Sequence, residues 1–167
     1  MEQEHITFSE NQRFRQPWIW LLAIAALAFP LWVLFRQLTS NSVAADNATG
    51  AYILIFLALA LAMGFFTLLY TSGLDTQINE TGVCIRFRPF HKRWIVFPFK
   101  SIEKVEAIPY RPIRDFGGWG IRYGRYGKSY TVRGNHGILL TLSENKMILI
   151  GSNRSQIFYQ QVAQSLP

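Results

Sequence analysis

The sequence is poor in the residues that mark disulfide-rich, metal-binding and highly charged proteins. It has one cysteine, Cys84, and three histidines, and only 16% of its 167 residues are charged. A single cysteine excludes an intramolecular disulfide framework, and no cysteine and histidine cluster has zinc-site spacing. Acidic residues are also scarce, since ten of them stand against 17 lysines and arginines. We therefore expect no metal site and no cofactor.

Hydrophobic residues make up half of the chain and are concentrated in two long runs without charge. Apolar side chains occupy 17 of the 19 positions in residues 17–35 and 18 of the 20 positions in residues 51–70. A helix of this length measures about 30 Å, which matches the hydrocarbon core of a bilayer. The pattern therefore predicts two transmembrane helices, at residues 17–36 and 51–70, which together form a hairpin.

The distribution of basic residues predicts the orientation of this hairpin. Three arginines flank the first run, whereas the connector at residues 37–50 contains no lysine or arginine. Residues 71–167 carry 14 lysines and arginines against six aspartates and glutamates. By the positive-inside rule both termini lie in the cytoplasm. We therefore expect residues 1–16 to form a cytoplasmic tail and residues 71–167 to form a cytoplasmic domain.

The domain at residues 71–167 has a β-type pattern. In residues 83–88 apolar and polar positions alternate, so that Val83, Ile85 and Phe87 share one face of a half-buried strand. Comparable runs, separated by turn residues, occur at 76–79, 93–97, 102–108, 119–123, 129–133, 138–142 and 146–150. Neither face of residues 102–108 is cleanly apolar.

A helix is predicted after the last strand. Ile157, Phe158, Val162 and Leu166 recur there at roughly helical spacing, and a serine and an asparagine after Gly151 are suitable caps. About seven short strands followed by one helix indicate a small antiparallel barrel or sandwich whose open end the helix closes.

Several short elements in residues 76–162 recur in one group of known domains. The most specific are Gly117-Gly118-Trp119-Gly120-Ile121-Arg122 and Ile150-Gly151-Ser152. The others are Thr76-Gln77-Ile78, Gly82-Val83, Phe99 with Ile102, Val105-Glu106, Tyr110-Arg111-Pro112, and Gly134 with Gly137-Ile138-Leu139-Leu140. Together they resemble the bacterial pleckstrin-homology-like domains that follow a two-span membrane anchor, in families of mostly unknown function.

The resemblance covers about half of the chain and implies an all-β barrel of about seven antiparallel strands capped by a C-terminal helix. It places the protein in the inner membrane of a bacterium and implies binding or assembly instead of catalysis. It does not imply phosphoinositide binding, because the bacterial relatives generally lack the basic loop pocket of the eukaryotic domains. Members of the wider group form rings, so the resemblance also implies a homo-oligomer.

Two basic segments are candidates for contact with lipid or with a protein partner. The longer segment is interleaved with tyrosines and contains Arg111, Arg114, Arg122, Arg125, Lys128 and Arg133. The shorter surrounds a turn and contains Arg88, Lys92 and Arg93, with Phe90 and Trp94 as membrane anchors. Anionic headgroups attract juxtamembrane basic residues by about 1 kcal/mol each. An ordinary solvated face for the first segment, and a polar hairpin with buried aromatic rings for the second, stay open as alternatives.

No pattern in the sequence indicates catalysis. The glycines between residues 117 and 127 lack the Gly-Lys-Ser/Thr element of a phosphate loop, and bulges or close backbone approach around Trp119 explain them better. Cys84 is predicted to lie in a strand, and no nucleophile is paired with a base. Basic and aromatic residues are compatible with single-stranded nucleic acid, but the membrane is the nearer polyanion, so no nucleic acid is expected.

The sequence thus predicts a non-enzymatic integral membrane protein with no catalytic residue. Its cytoplasmic domain is expected to mediate protein assembly, above all self-association, or contact with anionic lipid headgroups. The alternative is an accessory subunit that stabilises a larger membrane enzyme or transporter complex. The expected partners are membrane lipids and either further copies of the chain or other membrane subunits.

Overall fold

The computed structural model describes residues 6–39 and 45–166, which belong to two compact units. Residues 15–71 form a helical unit, and residues 6–14 together with 72–166 form a β-domain. The strands are β1 (Phe8–Arg13), β2 (Gly73–Asn79), β3 (Gly82–Arg88), β4 (Ile95–Pro98), β5 (Ile102–Pro109), β6 (Gly120–Gly124), β7 (Gly127–Thr131), β8 (His136–Leu142) and β9 (Lys146–Gly151). The α-helices are α1 (Pro17–Thr39), α2 (Ala45–Thr71), α3 (Pro112–Phe116) and α4 (Ser155–Ser165).

The helical unit contains the two predicted apolar helices. The helices over Pro17–Thr39 and Thr49–Thr71 are long and apolar enough to cross a membrane. The helices pack through small residues, since Ala23 and Ala62 are 1% and 8% exposed. The ring of Trp20 meets that of Phe66 edge-on with centroids 5.4 Å apart. The middle of the predicted connector, residues 40–44, lies outside the described residues.

The N-terminal segment is a strand of the β-domain, which differs from the predicted separate tail. Strand β1 pairs antiparallel with β2, and Arg13 lies opposite Gly73. The chain therefore leaves the sheet after β1, forms both long helices and returns to the neighbouring position in the same sheet. The tail prediction missed this strand because only Phe8 of its six residues is a large apolar residue.

Buried polar side chains fasten β1 to the end of the domain that is last in sequence. Glu10 is 7% exposed, and its carboxylate accepts hydrogen bonds from the Ser152 hydroxyl at 2.5 Å and the Asn153 backbone N–H at 2.9 Å. The Gln12 amide donates to the Gly151 carbonyl at 2.7 Å. Hydrogen bonds to a buried charged group contribute about 1.5–3 kcal/mol each, so these contacts offset the burial of polar residues.

The nine described strands form two sheets. The first has the order β1-β2-β3-β4 and is antiparallel throughout. The second has the order β5-β8-β9-β7-β6, in which β7 and β9 run parallel. All eight predicted runs overlap strands, and the C-terminal helix is present as α4. The coarse expectation of a β-rich domain with a C-terminal helix is confirmed, whereas nine strands in one antiparallel and one mixed sheet replace the expected seven antiparallel strands.

The central strands β8 and β9 of the second sheet are buried on both faces. Ile138, Leu140 and Ile150 face the main core, where both sheets meet the α4 residues Phe158 and Val162. The alternate positions face a smaller cluster of Tyr110, Phe116, Leu139 and Leu149. This second cluster explains why β8 reads as a continuous apolar run, since a strand covered on both sides needs no polar face.

A β-bulge explains the mixed pattern of β5. Ile102 pairs with Leu142 and Lys104 pairs with Thr141, so Glu103 is an extra residue between them. The extra residue shifts the alternation by one position, and Ile102 and Val105 consequently face the same core although their spacing is odd. Sequence alternation alone does not reveal such a shift.

We expect Phe8→Ala to lower the free energy of unfolding of the β-domain by about 3 kcal/mol, the usual cost of truncating a buried phenylalanine. The Phe8 ring is 5% exposed and stacks on Phe158 with centroids 4.8 Å apart. Denaturant unfolding of the full chain in detergent, followed by tryptophan fluorescence, measures the change. The matched control is Ile6→Ala, whose side chain is 51% exposed. Equal stabilities of the two variants would contradict a structural role for β1.

Candidate functional site

A buried carboxylate holds two arginines of β3. Asp75 on β2 is 7% exposed, and its two oxygens accept hydrogen bonds from Arg86 Nη2 and Arg88 Nη2, each at 3.0 Å. Asn11 on β1 also donates to Asp75. Arg88, predicted to contact lipid or a partner, is thus ion-paired within the first sheet. Its primary structural role is to link β2 and β3.

The turn between β3 and β4 lies at the end of the sheet where the chain leaves for the long helices. Gly73 lies opposite both Arg13 on β1 and Arg88 on β3, so the turn starts level with the residues that flank the helices. Phe90 is 62% exposed, and Lys92 and Arg93 are also exposed. Three of the predicted contact residues therefore stand together at this end of the sheet.

Trp94, the other aromatic residue predicted as an anchor, packs against an arginine of β3. It is half-buried, and the Arg86 guanidinium lies over its ring at 4.8 Å from the centroid. A guanidinium stacked on an indole face is stabilised by a cation–π interaction. Trp94 therefore attaches the turn to β3 through Arg86. Of the two predicted aromatic anchors, Phe90 is the exposed one.

Lys128 brings the longer basic segment to the same turn. Its ammonium lies 5.6 Å from the ring centroid of Tyr123 and 5.2 Å from that of Tyr130, and these tyrosines raise its pKa. The His91 ring lies 5.9 Å from the Tyr130 ring. Tyr123 is 75% exposed. We name Phe90, Lys92, Arg93, Tyr123 and Lys128 the exit-end surface.

Two other arginines of the longer segment lie elsewhere. The Arg133 Nε donates to the Asn153 side-chain carbonyl at 3.1 Å, next to the Glu10 network. Arg122 lies exposed on β6. The basic segment that appears continuous in sequence is thus distributed over several surfaces, because strands and turns send successive side chains in different directions.

Helix α3 positions two further arginines, and the sequence analysis missed it. Pro112 occupies its first turn, and Gly117 ends it with φ of 72°. The Gly117 N–H donates to the Ile113 carbonyl at 2.9 Å and the Gly118 N–H to the Pro112 carbonyl at 2.8 Å. The bond from the Gly117 N–H to the carbonyl four residues earlier is that of an αL helix C-terminus. A proline followed five residues later by glycine was the available signal.

The turn between β6 and β7 approaches α3 very closely. A Cβ atom on Gly124 would lie 2.0 Å from the Asp115 carbonyl oxygen, and the Arg125 N–H donates to that oxygen at 3.2 Å. The close-approach interpretation of the glycines therefore holds at this position. As a result Arg111, Arg114 and Arg125 line one cavity of about 440 Å³.

Within residues 6–39 and 45–166, no three histidine, cysteine, aspartate or glutamate side chains assemble into a group that could hold a metal ion. Cys84 is buried in β3. No protein-family model matches this sequence, and no curated protein matches it.

We expect His91 in the full chain to titrate below the ordinary pKa of about 6.5. Desolvation and the positive charge of Lys128 both lower its pKa. Because His91 binds a proton less readily in the folded protein than in the unfolded chain, neutral His91 favours the folded state. This contribution to stability is complete above pH 6.5 and is lost as the pH falls from 6.5 to the folded-state pKa. Histidine-selective NMR of the protein in nanodiscs measures the midpoint.

Lys128→Gln should raise the titration midpoint of His91 only part of the way toward 6.5, since desolvation is the larger cause of the lowered pKa. Lys104→Gln is the matched control, because Lys104 is paired with Glu106 at 3.0 Å on β5. A midpoint at or above 6.5 in the unmodified protein would refute the packing of His91 against Tyr130 and Lys128.

Proposed function

We propose that the protein is a non-enzymatic membrane protein whose pleckstrin-homology-like β-domain is held against the inner face of a bacterial cytoplasmic membrane. The strand arrangement supports this assignment. Four strands lie in the first sheet and five in the second, and α4 follows the last strand. A β-rich domain with a terminal helix is the coarse arrangement that the sequence resemblance implies.

The pairing of β1 with β2 supports a two-span topology. Since Arg13 and Gly73 are opposite residues in one sheet, the segment between them must begin and end on the same side of the membrane. Two crossings satisfy this requirement, and α1 and α2 supply two helices of sufficient length. The basic residues of the β-domain favour the cytoplasmic side.

Contact of the exit-end surface with anionic lipid headgroups is the function that the geometry supports best. One observation carries the proposal: exposed aromatic and basic side chains cluster at the sheet end from which the chain leaves for the apolar helices. Aromatic rings favour the interface, and each nearby lysine or arginine adds about 1 kcal/mol of attraction. The contact would set the orientation of the domain on the bilayer.

A depth measurement tests this proposal in the full chain. Cys84→Ser removes the native thiol, and Phe90→Cys or Glu80→Cys then introduces a single site for a fluorescent label. Glu80 is exposed in the turn after Asn79, at the other end of β2 from Gly73. We expect brominated lipids to quench the label at position 90 strongly and the label at position 80 weakly, and the difference to grow with anionic lipid content.

The charge dependence provides the matched control. Lys92→Gln with Arg93→Gln should make the free energy of docking on the membrane less favourable by about 2 kcal/mol, and quenching at position 90 should therefore weaken. Lys100→Gln with Lys104→Gln removes the same charge from exposed positions outside the exit-end surface and should leave quenching unchanged. Equal quenching at positions 80 and 90 would rule the proposal out.

Self-association is a second candidate, and one observation favours it. Ala60 and Gly64 have the small-xxx-small spacing that allows close helix approach, yet both are exposed and therefore take no part in the contact between α1 and α2. A second copy of α2 would cover this surface. The open backbone edges of β4 and β6 provide a further route for assembly in the β-domain.

Native mass spectrometry of the detergent-solubilised chain tests this candidate. We expect one assembly at an integer multiple of the chain mass, and Gly64→Leu should shift it toward monomer because a leucine side chain separates the helices. Ala58→Leu, also exposed but on the other side of α2, is the control. Spectra that show only the monomer would reject self-association. Larger polypeptides that stay bound to the chain would instead favour the accessory-subunit alternative.

A further inference from the structure

A cavity of about 440 Å³ on the β-domain is lined by residues from four separate segments, one of which is Asn135 before β8. Tyr110 and Arg111 follow β5, Arg114 lies on α3, and Arg125 and Tyr126 form the turn between β6 and β7. None of these residues belongs to the exit-end surface. The volume falls in the range of roughly 300–1,000 Å³ that is usual for small-molecule sites.

The charge of the cavity is unbalanced. The lining contains three arginines and one acidic residue, Asp115, whose Oδ2 accepts a hydrogen bond from the Arg111 backbone N–H at 2.8 Å. Among the residues that the structure describes, the ion pairs involve other arginines and lysines, and none joins these three guanidinium groups to a carboxylate. The cavity therefore presents uncompensated positive charge to a ligand.

Backbone contacts hold the turn that carries Arg125 against α3, and the side chains of the three arginines are exposed. Arg125 is held where Gly124 passes against the Asp115 carbonyl, and its guanidinium lies 5.6 Å from the centroid of the Tyr126 ring. Tyr110 is 3% exposed and packs edge-on against Phe116 beneath α3. A set of neighbouring arginines suits an oxyanion, because the planar guanidinium donates two parallel hydrogen bonds to phosphate or carboxylate oxygens.

We propose that this cavity is a binding site for a phosphate ester. Arg111, Arg114 and Arg125 bind the phosphate group, and the Tyr126 ring contacts the organic part of the ligand. The headgroup of an anionic phospholipid and a small soluble organic phosphate share this chemistry. The inference goes beyond headgroup contact at the exit-end surface, since it involves different residues and a concave site.

Fluorine NMR of the full chain labelled with 3-fluorotyrosine tests the proposal in nanodiscs. The Tyr126 resonance is assigned with Tyr126→Phe. One arm adds glycerol 3-phosphate to protein in phosphatidylcholine discs, and the other replaces part of the phosphatidylcholine with phosphatidylglycerol. We expect a saturable shift of the Tyr126 resonance in at least one arm. A shift with glycerol 3-phosphate identifies a soluble source, and a shift with phosphatidylglycerol identifies a lipid source.

Arginine variants determine whether the cavity causes the shift. Arg114→Gln and Arg125→Gln should each weaken binding at least tenfold. Arg122→Gln removes the same charge from an exposed position on β6 outside the cavity and should leave binding unchanged. Unchanged resonances of the other tyrosines confirm that each variant is folded.

Two results would overturn the proposal. The first is a Tyr126 resonance that moves in neither arm, and the second is an equal loss of binding in Arg122→Gln and Arg125→Gln, which would indicate general surface charge. Lys92→Gln with Arg93→Gln should leave the shift intact. A failure of headgroup docking at the exit-end surface is therefore distinguishable from a failure of this site.

Discussion

The pairing of β1 with β2 is the contact on which the rest of the structure depends. It joins the residues before α1 to the residues after α2, so the helical unit is an insertion between neighbouring strands of one sheet. Glu10 and Gln12 then connect β1 to Ser152 and Gly151, which lie 142 and 139 residues later. The β-domain consequently cannot be complete until both helices have been made and the chain has returned.

This arrangement also places the candidate sites. The exit-end surface owes its position to the register of β1, β2 and β3, which puts the turn after Arg88 beside the two points where the chain leaves the sheet. The cavity is formed by the segment between β5 and β8, in which Gly124 allows the turn between β6 and β7 to pack against Asp115. Two groups of basic residues that overlap in sequence thereby become two separate surfaces.

The parts of the fold with strong local patterns were predictable. Uncharged runs predicted both long helices, alternation or short apolar runs predicted eight strands, and helical spacing predicted α4. Strand β1 was not predictable in this way, because its buried positions are Phe8, Glu10 and Gln12. Burial of the last two is compensated only by partners distant in sequence. Helix α3 was missed because five residues are too few to show a period.

The candidate site was predictable in composition but not in arrangement. All of its basic residues were named from the sequence, yet Arg88 proved to be held by Asp75 and Trp94 to lie beneath Arg86. Pairings of this kind depend on which strands become neighbours. Sequence spacing within a single strand cannot report them.

The sequence by itself determined that two apolar helices precede a basic, β-rich domain with a terminal helix, because hydrophobicity and periodicity act over a few consecutive residues. Only the tertiary structure decided that the N-terminal segment completes this domain, that a bulge at Glu103 restores the core face of β5, and that three arginines surround one cavity. Each of these features depends on contacts between residues far apart in the chain, and such contacts exist only when the sheets have assembled.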